Sequence, residues 1–233
     1  MANLPSNRSS SKDITAFLNA AAKTPALSQV KGRLIFAVDA TMSRQPTWDI
    51  ASEIQSDMFD VAQSVGGLAV QLVYFRGRGE FEATEWTTTP SALAARMSRV
   101  TTRSGFTQLR HVLVHASQEA RSAKVGALVY VGDCFEENID AVLKEAGKLA
   151  LLSVPAFMFQ EGDDPTAATA FREIARLTSG VYSRFDSGAA RQLRELLRAA
   201  AVYATGGRLA LKDYGDRIGG EVKRLASAMG QKS

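Results

Sequence analysis

One cysteine, Cys134, stands in 233 residues, so an internal disulfide is excluded and a reducing compartment is expected. No stretch approaches the roughly 18 consecutive apolar residues of a membrane span. The polar opening, residues 1–10, lacks the apolar core of a secretory signal. A soluble cytoplasmic protein with no membrane partner is the expectation. Basic side chains barely exceed acidic ones, giving a net charge of +4, and they form no block with interleaved aromatics. Nucleic acid is therefore not an expected partner. Three catalytic signatures are also missing. There is no Gly-x-x-x-x-Gly-Lys-Ser/Thr, no Gly-x-Gly-x-x-Gly after the first strand, and no serine nucleophile elbow. A P-loop nucleotidase, a dinucleotide oxidoreductase and elbow-type serine chemistry are left without support.

What is present is ordinary globular material, 45% hydrophobic and 22% charged, enough for one large domain. Pattern decides the fold. Residues 33–39 read as a buried strand, because Leu34 to Val38 are apolar without interruption. A helix follows from a Thr47 cap to about Val65, striped by Ile50, Ile54, Met58 or Phe59, and Val61, and stopped by Gly66-Gly67. Strands are expected at 68–75, 80–87 (antiparallel, at an edge), 127–131, 154–159 and 181–185. Helices are expected from Pro90 to Arg99, Gln108 to Ser122, Asn138 to Leu149 and Pro165 to Thr178, with Gly180 as the last one's C′ residue. Ser187 caps a further helix carrying Leu193, Leu196, Leu197 and Ala200. Strands alternating with helices specify a single doubly wound α/β sheet, mostly parallel with one antiparallel edge strand and helices on both faces. Residues 1–30 form a tail with a short Ser11-capped helix (Ile14, Phe17, Leu18), 31–205 the domain, and 206–233 a tail. That last tail carries an amphipathic helix (Ile218, Val222, Leu225, Met229) expected to pack on its own domain.

Three polar loops stand out, each at or beside a strand's carboxyl end, where open α/β sheets bind ligands. They hold Asp39-x-Thr41-x-Ser43, then Thr107 after Ser-Gly-Phe, then Asp133. An all-oxygen set of this kind suits a hard cation. In this order, and with this alternation, the sequence resembles the von Willebrand factor A (VWA) family and its metal-ion-dependent adhesion site, over residues 31–205. Asp39 and Ser43 match the family's Asp-x-Ser-x-Ser outright, and Thr41 replaces a Ser. Thr107 and Asp133 match the second and third motifs, with Cys134 where a Gly usually follows. The resemblance implies a Rossmann-like fold and a Mg²⁺ ion (or Mn²⁺ or Ca²⁺) on the Thr41 and Ser43 hydroxyls, with Thr107 bound directly or through water. Asp39 and Asp133 would hold coordinated waters. It further implies a non-catalytic protein-binding module, whose ion accepts a Glu or Asp from a partner, with an ATPase or chaperone-like protein as the type of partner.

Two other functions compete. A Mg²⁺-dependent phosphohydrolase of the haloacid dehalogenase type needs an acid two residues after its nucleophilic Asp, and Thr41 stands there. A structural subunit with a vestigial metal site is the other. His111 and His115 share a helix face but lack the Glu and third ligand of a zinc protease, and read as surface or groove histidines. Cys134 reads as a small buried residue, Glu136 and Glu137 as a solvated helix start. Trp48 fits either the core or a ligand face.

Overall fold

The computed structural model describes residues 31–41, 45–186 and 189–230. The N-terminal tail and its helix, Ser43, and the Ser187 cap lie outside the described residues. Six strands form one sheet: β1 (Gly32–Asp39), β2 (Leu68–Arg76), β3 (Glu80–Ala83), β4 (Ala127–Gly132), β5 (Ala156–Glu161) and β6 (Val181–Phe185). Their order is β3-β2-β1-β4-β5-β6. Every pairing is parallel except β2–β3, so the edge strand is antiparallel as expected, but it ends at Ala83 rather than 87, and only Thr87 rejoins β2, opposite Val70.

Because strand side chains alternate, β1 sends Leu34, Phe36 and Val38 into one core and Ile35 and Ala37 into the other. The first core is closed by α1 (Gln45–Ile54), α2 (Ser56–Gln63), α3 (Pro90–Met97), α7 (Ala190–Ile218) and α8 (Gly220–Gly230). The second is closed by α4 (Leu109–Ser122), α5 (Ile139–Leu151) and α6 (Pro165–Leu177). Coverage on both faces explains the uninterrupted apolar runs of the central strands. Within α7 the helix breaks at Gly207, whose φ is 69°. The tail helix α8 buries Val222, Leu225 and Met229 in the first core, while Ile218 stays outside it.

Four other expectations need correcting. The helix expected from 47 to 65 is interrupted at Gln55, yet Gln55 keeps helical dihedrals (φ −62°, ψ −28°), so the ladder lapses and the direction does not. Thr47 is not a cap. It lies inside α1, and its hydroxyl donates to the buried Glu161 carboxylate, a group that must have donors so far from water. Strand β5 runs two residues further than its apolar stretch, because polar Gln160 and Glu161 find partners inside. Finally, the C′ residue of α6 is Ser179, with φ 54°, not Gly180. Gly180 donates its N–H to the Ala175 carbonyl in a Schellman closure. Its lack of a side chain serves a different end: a Cβ there would stand 2.0 Å from the Ala156 carbonyl oxygen.

Candidate metal centre

The strand order reverses between β1 and β4, since the chain leaves β1 toward β2 on one side and later enters β4 on the other. In open α/β sheets such a switch point is where the loops above the two carboxyl ends diverge and ligands bind. Asp39 ends β1 and is fully buried, and Asp133 follows β4 directly. One carboxylate oxygen from each, together with the Cys134 sulfur, lies within 4.8 Å of the others. Thr41 sits above, its backbone N–H donating to Asp39 Oδ1 at 2.8 Å in a tight local turn.

Thr107 arrives on a separate loop, and the route of that loop is fixed by contact. Gly105 packs so close to the β2–β3 turn that a Cβ would stand 2.1 Å from the Gly77 carbonyl oxygen. Arg103 N–H donates to the Ala40 carbonyl at 3.1 Å, which ties this loop to the one carrying Thr41. Glu136 is exposed, as expected of a solvated acid, and Glu137 is half-buried, but both are engaged across loops. The Glu136 carboxylate accepts from the Thr107 N–H, and the Glu136 N–H donates back to Thr107 Oγ1, both at 3.2 Å. Glu137 accepts from the Leu109 and Arg110 N–H groups at 2.5 and 3.1 Å, capping α4 from another loop. The Thr107 and Asp133 loops are thus clasped together by two carboxylates. Burial raises the Glu137 carboxyl above the usual range, against the backbone donors that lower it.

Cys134 is half-buried. Burial and the adjacent Asp133 push its thiol up to about 12. Beneath it lies Tyr130, fully buried and packed against Phe75 and Phe171, with a hydroxyl that makes no hydrogen bond among the described residues. A Cβ on Gly132 would stand 2.7 Å from that hydroxyl, so the ring runs along β4 toward its carboxyl end. The sequence offered no sign of Tyr130, because its role depends on side-chain direction. Glu161, at the buried carboxyl end of the neighbouring strand, was signalled only by a polar pair following an apolar run.

The remaining candidates fall elsewhere. Trp48 belongs to the core, its indole N–H donating to the Met97 carbonyl at 3.2 Å and its ring edge-on to Tyr74. His111 and His115 both pack on Phe81, and His115 Nε2 meets Gln71 Oε1 at 2.9 Å.

No family model and no curated protein matches the chain by sequence. Solved structures do match it. The human COPII-coat protein Sec24c aligns with 72% of this chain and 32% of its own, at 11% identity and a TM-score of 0.59. The VWA domain of SpRpn10 aligns with 76% and 98%, at 12% identity and 0.51. Manganese-loaded TRAP protein of Plasmodium vivax aligns with 74% and 74%, at 13% identity and 0.52. The fold is VWA-like. The chain spans about a third of the Sec24c chain and 45% of an ArnB paralog, VWA2, from Sulfolobus acidocaldarius.

In this VWA-like frame the donor set suits a divalent cation. Two carboxylates converge from different strands, as a hard ion requires. The Thr107 hydroxyl accepts one hydrogen bond and keeps a second lone pair for a cation or its water. The thiol is the part of the set that a magnesium ion would not select. Among the described residues, no helix is long and apolar enough to cross a membrane.

Proposed function

We propose that this chain is a non-catalytic, divalent-cation-dependent protein-binding module. The cation is held by Asp39, Thr41, Ser43, Thr107 and Asp133 and takes an acidic side chain from a partner protein. The observation that carries this reading is the approach of Asp39 and Asp133 to within 4.8 Å at the switch point of a VWA-like sheet. On the oxygen donors alone the ion is Mg²⁺ or Mn²⁺. Two carboxylates leave it electrophilic enough to accept a further anion. A manganese-loaded neighbour and a coat-protein neighbour support the two halves of the reading, cation and protein partner. A reducing, cytoplasmic setting accords with the single cysteine. The partner class suggested by the family resemblance is an ATPase or chaperone-like protein bearing an exposed Glu or Asp.

The test has two parts. Mg²⁺ and Mn²⁺ are titrated calorimetrically into the full chain and into Asp39→Ala, which is expected to lose the binding. Proteins retained by the wild type in Mg²⁺ are then compared with those retained in EDTA and by Asp39→Ala. Expected is retention by wild type in Mg²⁺ alone; equal retention under all three conditions refutes the role of the ion in contact.

A further inference from the structure

The carboxylate pair does not stand alone. Cys134 occupies the place where the family pattern carries a Gly, and its sulfur lies within 4.8 Å of a carboxylate oxygen from both Asp39 and Asp133. A second observation points to the same spot. The Tyr130 hydroxyl is fully buried and without a hydrogen-bond partner among the described residues, and it is directed toward the carboxyl end of β4, against Gly132, the residue that Asp133 and Cys134 follow.

We propose that the Cys134 sulfur is a direct ligand beside Asp39 and Asp133, so that the centre takes a thiophilic divalent cation of the zinc class in preference to Mg²⁺. The proposal rests on the reading that a cation sits between these carboxylates, and it names the class of that cation. Two oxygens, one sulfur and an open position match the ligand number of an open zinc site, and carboxylate oxygen and thiolate sulfur are both atoms that zinc accepts. Sulfur is what separates zinc from magnesium, because a soft donor gains little from a hard ion. On binding, the sulfur–metal bond forms as the thiol proton leaves to solvent, with no change of oxidation state. Ligand atoms ~2.0–2.3 Å from a tetrahedral zinc stand roughly 3.5 Å apart, so the set must draw in by about 1.3 Å at most. Metal ligands are commonly steadied by a hydrogen bond from behind, and the Tyr130 hydroxyl is the buried donor placed to give one. With zinc bound, the Thr41, Ser43 and Thr107 hydroxyls hold water around the centre instead of ligating the ion, and the fourth position remains open for a partner's carboxylate.

The experiment uses the full chain with Co²⁺ as the spectroscopic stand-in for Zn²⁺. Wild type is expected to develop a near-ultraviolet thiolate-to-cobalt charge-transfer band that saturates at one equivalent. The band is expected to be absent in Cys134→Ser, Cys134→Gly and Asp39→Ala, and present when His111 and His115 are both changed to Ala. Zn²⁺ affinity, from competition with a chelator, is expected to fall about tenfold or more in Cys134→Ser while Mg²⁺ affinity holds. Circular dichroism of each variant separates ligand loss from unfolding. Asp39-dependent cobalt binding without the band, or unchanged Zn²⁺ affinity in Cys134→Ser, overturns the sulfur ligand and leaves the cation centre standing. Failure of Mg²⁺, Mn²⁺, Co²⁺ and Zn²⁺ alike to bind wild type overturns the centre itself, and this inference with it.

Discussion

Removing one oxygen from the core should make this protein more stable. The Tyr130 hydroxyl is buried without a hydrogen-bond partner among the described residues. An unsatisfied buried hydroxyl costs about 1–3 kcal/mol in lost hydration. Burial, and then Asp39, Cys134, Glu137 and Asp133, raise its pKa well above the usual phenol value, so the group is never an anion at neutral pH. Tyr130→Phe keeps the stacking on Phe75 and the edge contact with Phe171, at centroid distances of 6.3 and 5.3 Å. Against the gain stands the loss of the oxygen's dispersion contacts, a few at ~0.1–0.2 kcal/mol each. The balance is a stabilisation of about 1–2 kcal/mol. For a chain of this size that is roughly 2–8 °C in Tm. The assay is urea denaturation in EDTA, where the midpoint should rise with an unchanged slope. Repeated with saturating Zn²⁺, the advantage should shrink, because the hydroxyl then has a ligand atom to serve. A lower midpoint in EDTA refutes the reasoning, since it would mean that the hydroxyl is bonded in solution.

Three further outcomes follow, two from the packing and one from His115. Gly180→Ala forces a Cβ onto the Ala156 carbonyl, which belongs to a paired strand and cannot yield cheaply, so a loss of about 1–3 kcal/mol is expected. Ser179→Gly, one residue earlier at φ 54°, should instead gain ~1 kcal/mol; calorimetric Tm values moving the same way for both would refute the assignment of roles. Burial holds His115 below its ordinary value of 6.5, against the opposing effect of Glu119. The unfolded chain therefore takes up a proton at higher pH than the folded one. The stability this ring contributes is complete above about 6.5 and drains away as pH falls from there toward the depressed folded value. Urea midpoints measured between about pH 7.5 and pH 5 should slope less steeply for His115→Gln than for wild type, and parallel curves would refute the assignment.

Most of the sheet was legible because β1, β2, β4 and β5 are buried on both faces, so each is a mainly apolar run whose order with the helices restricts the topology. Gly66-Gly67, Asn138 and Pro165 announced helix ends through local backbone chemistry alone. What stayed hidden was whatever depends on a distant partner. Glu136 and Glu137 looked like solvated acids because nothing local shows that Thr107, Leu109 and Arg110 lie opposite them. Glu161 lay beyond the strand expected at 154–159 because its donor, Thr47, belongs to a helix distant in sequence. Asp39, Thr41, Thr107 and Asp133 could be picked out by motif, and the structure brings Asp39 and Asp133 together. Cys134, directly after Asp133, was set aside because a lone cysteine beside a strand end is usually a small buried residue; its sulfur lies within 4.8 Å of both carboxylates.

The switch point has one more consequence. Asp39 and Asp133 meet only because β1 and β4 are side by side, so no excised loop of this chain carries the pair. The unfolded polymer cannot reproduce the grouping either. A cation accepted there is a ligand of the native state alone, and by mass action the work of unfolding rises with the logarithm of its free concentration once the site is filled.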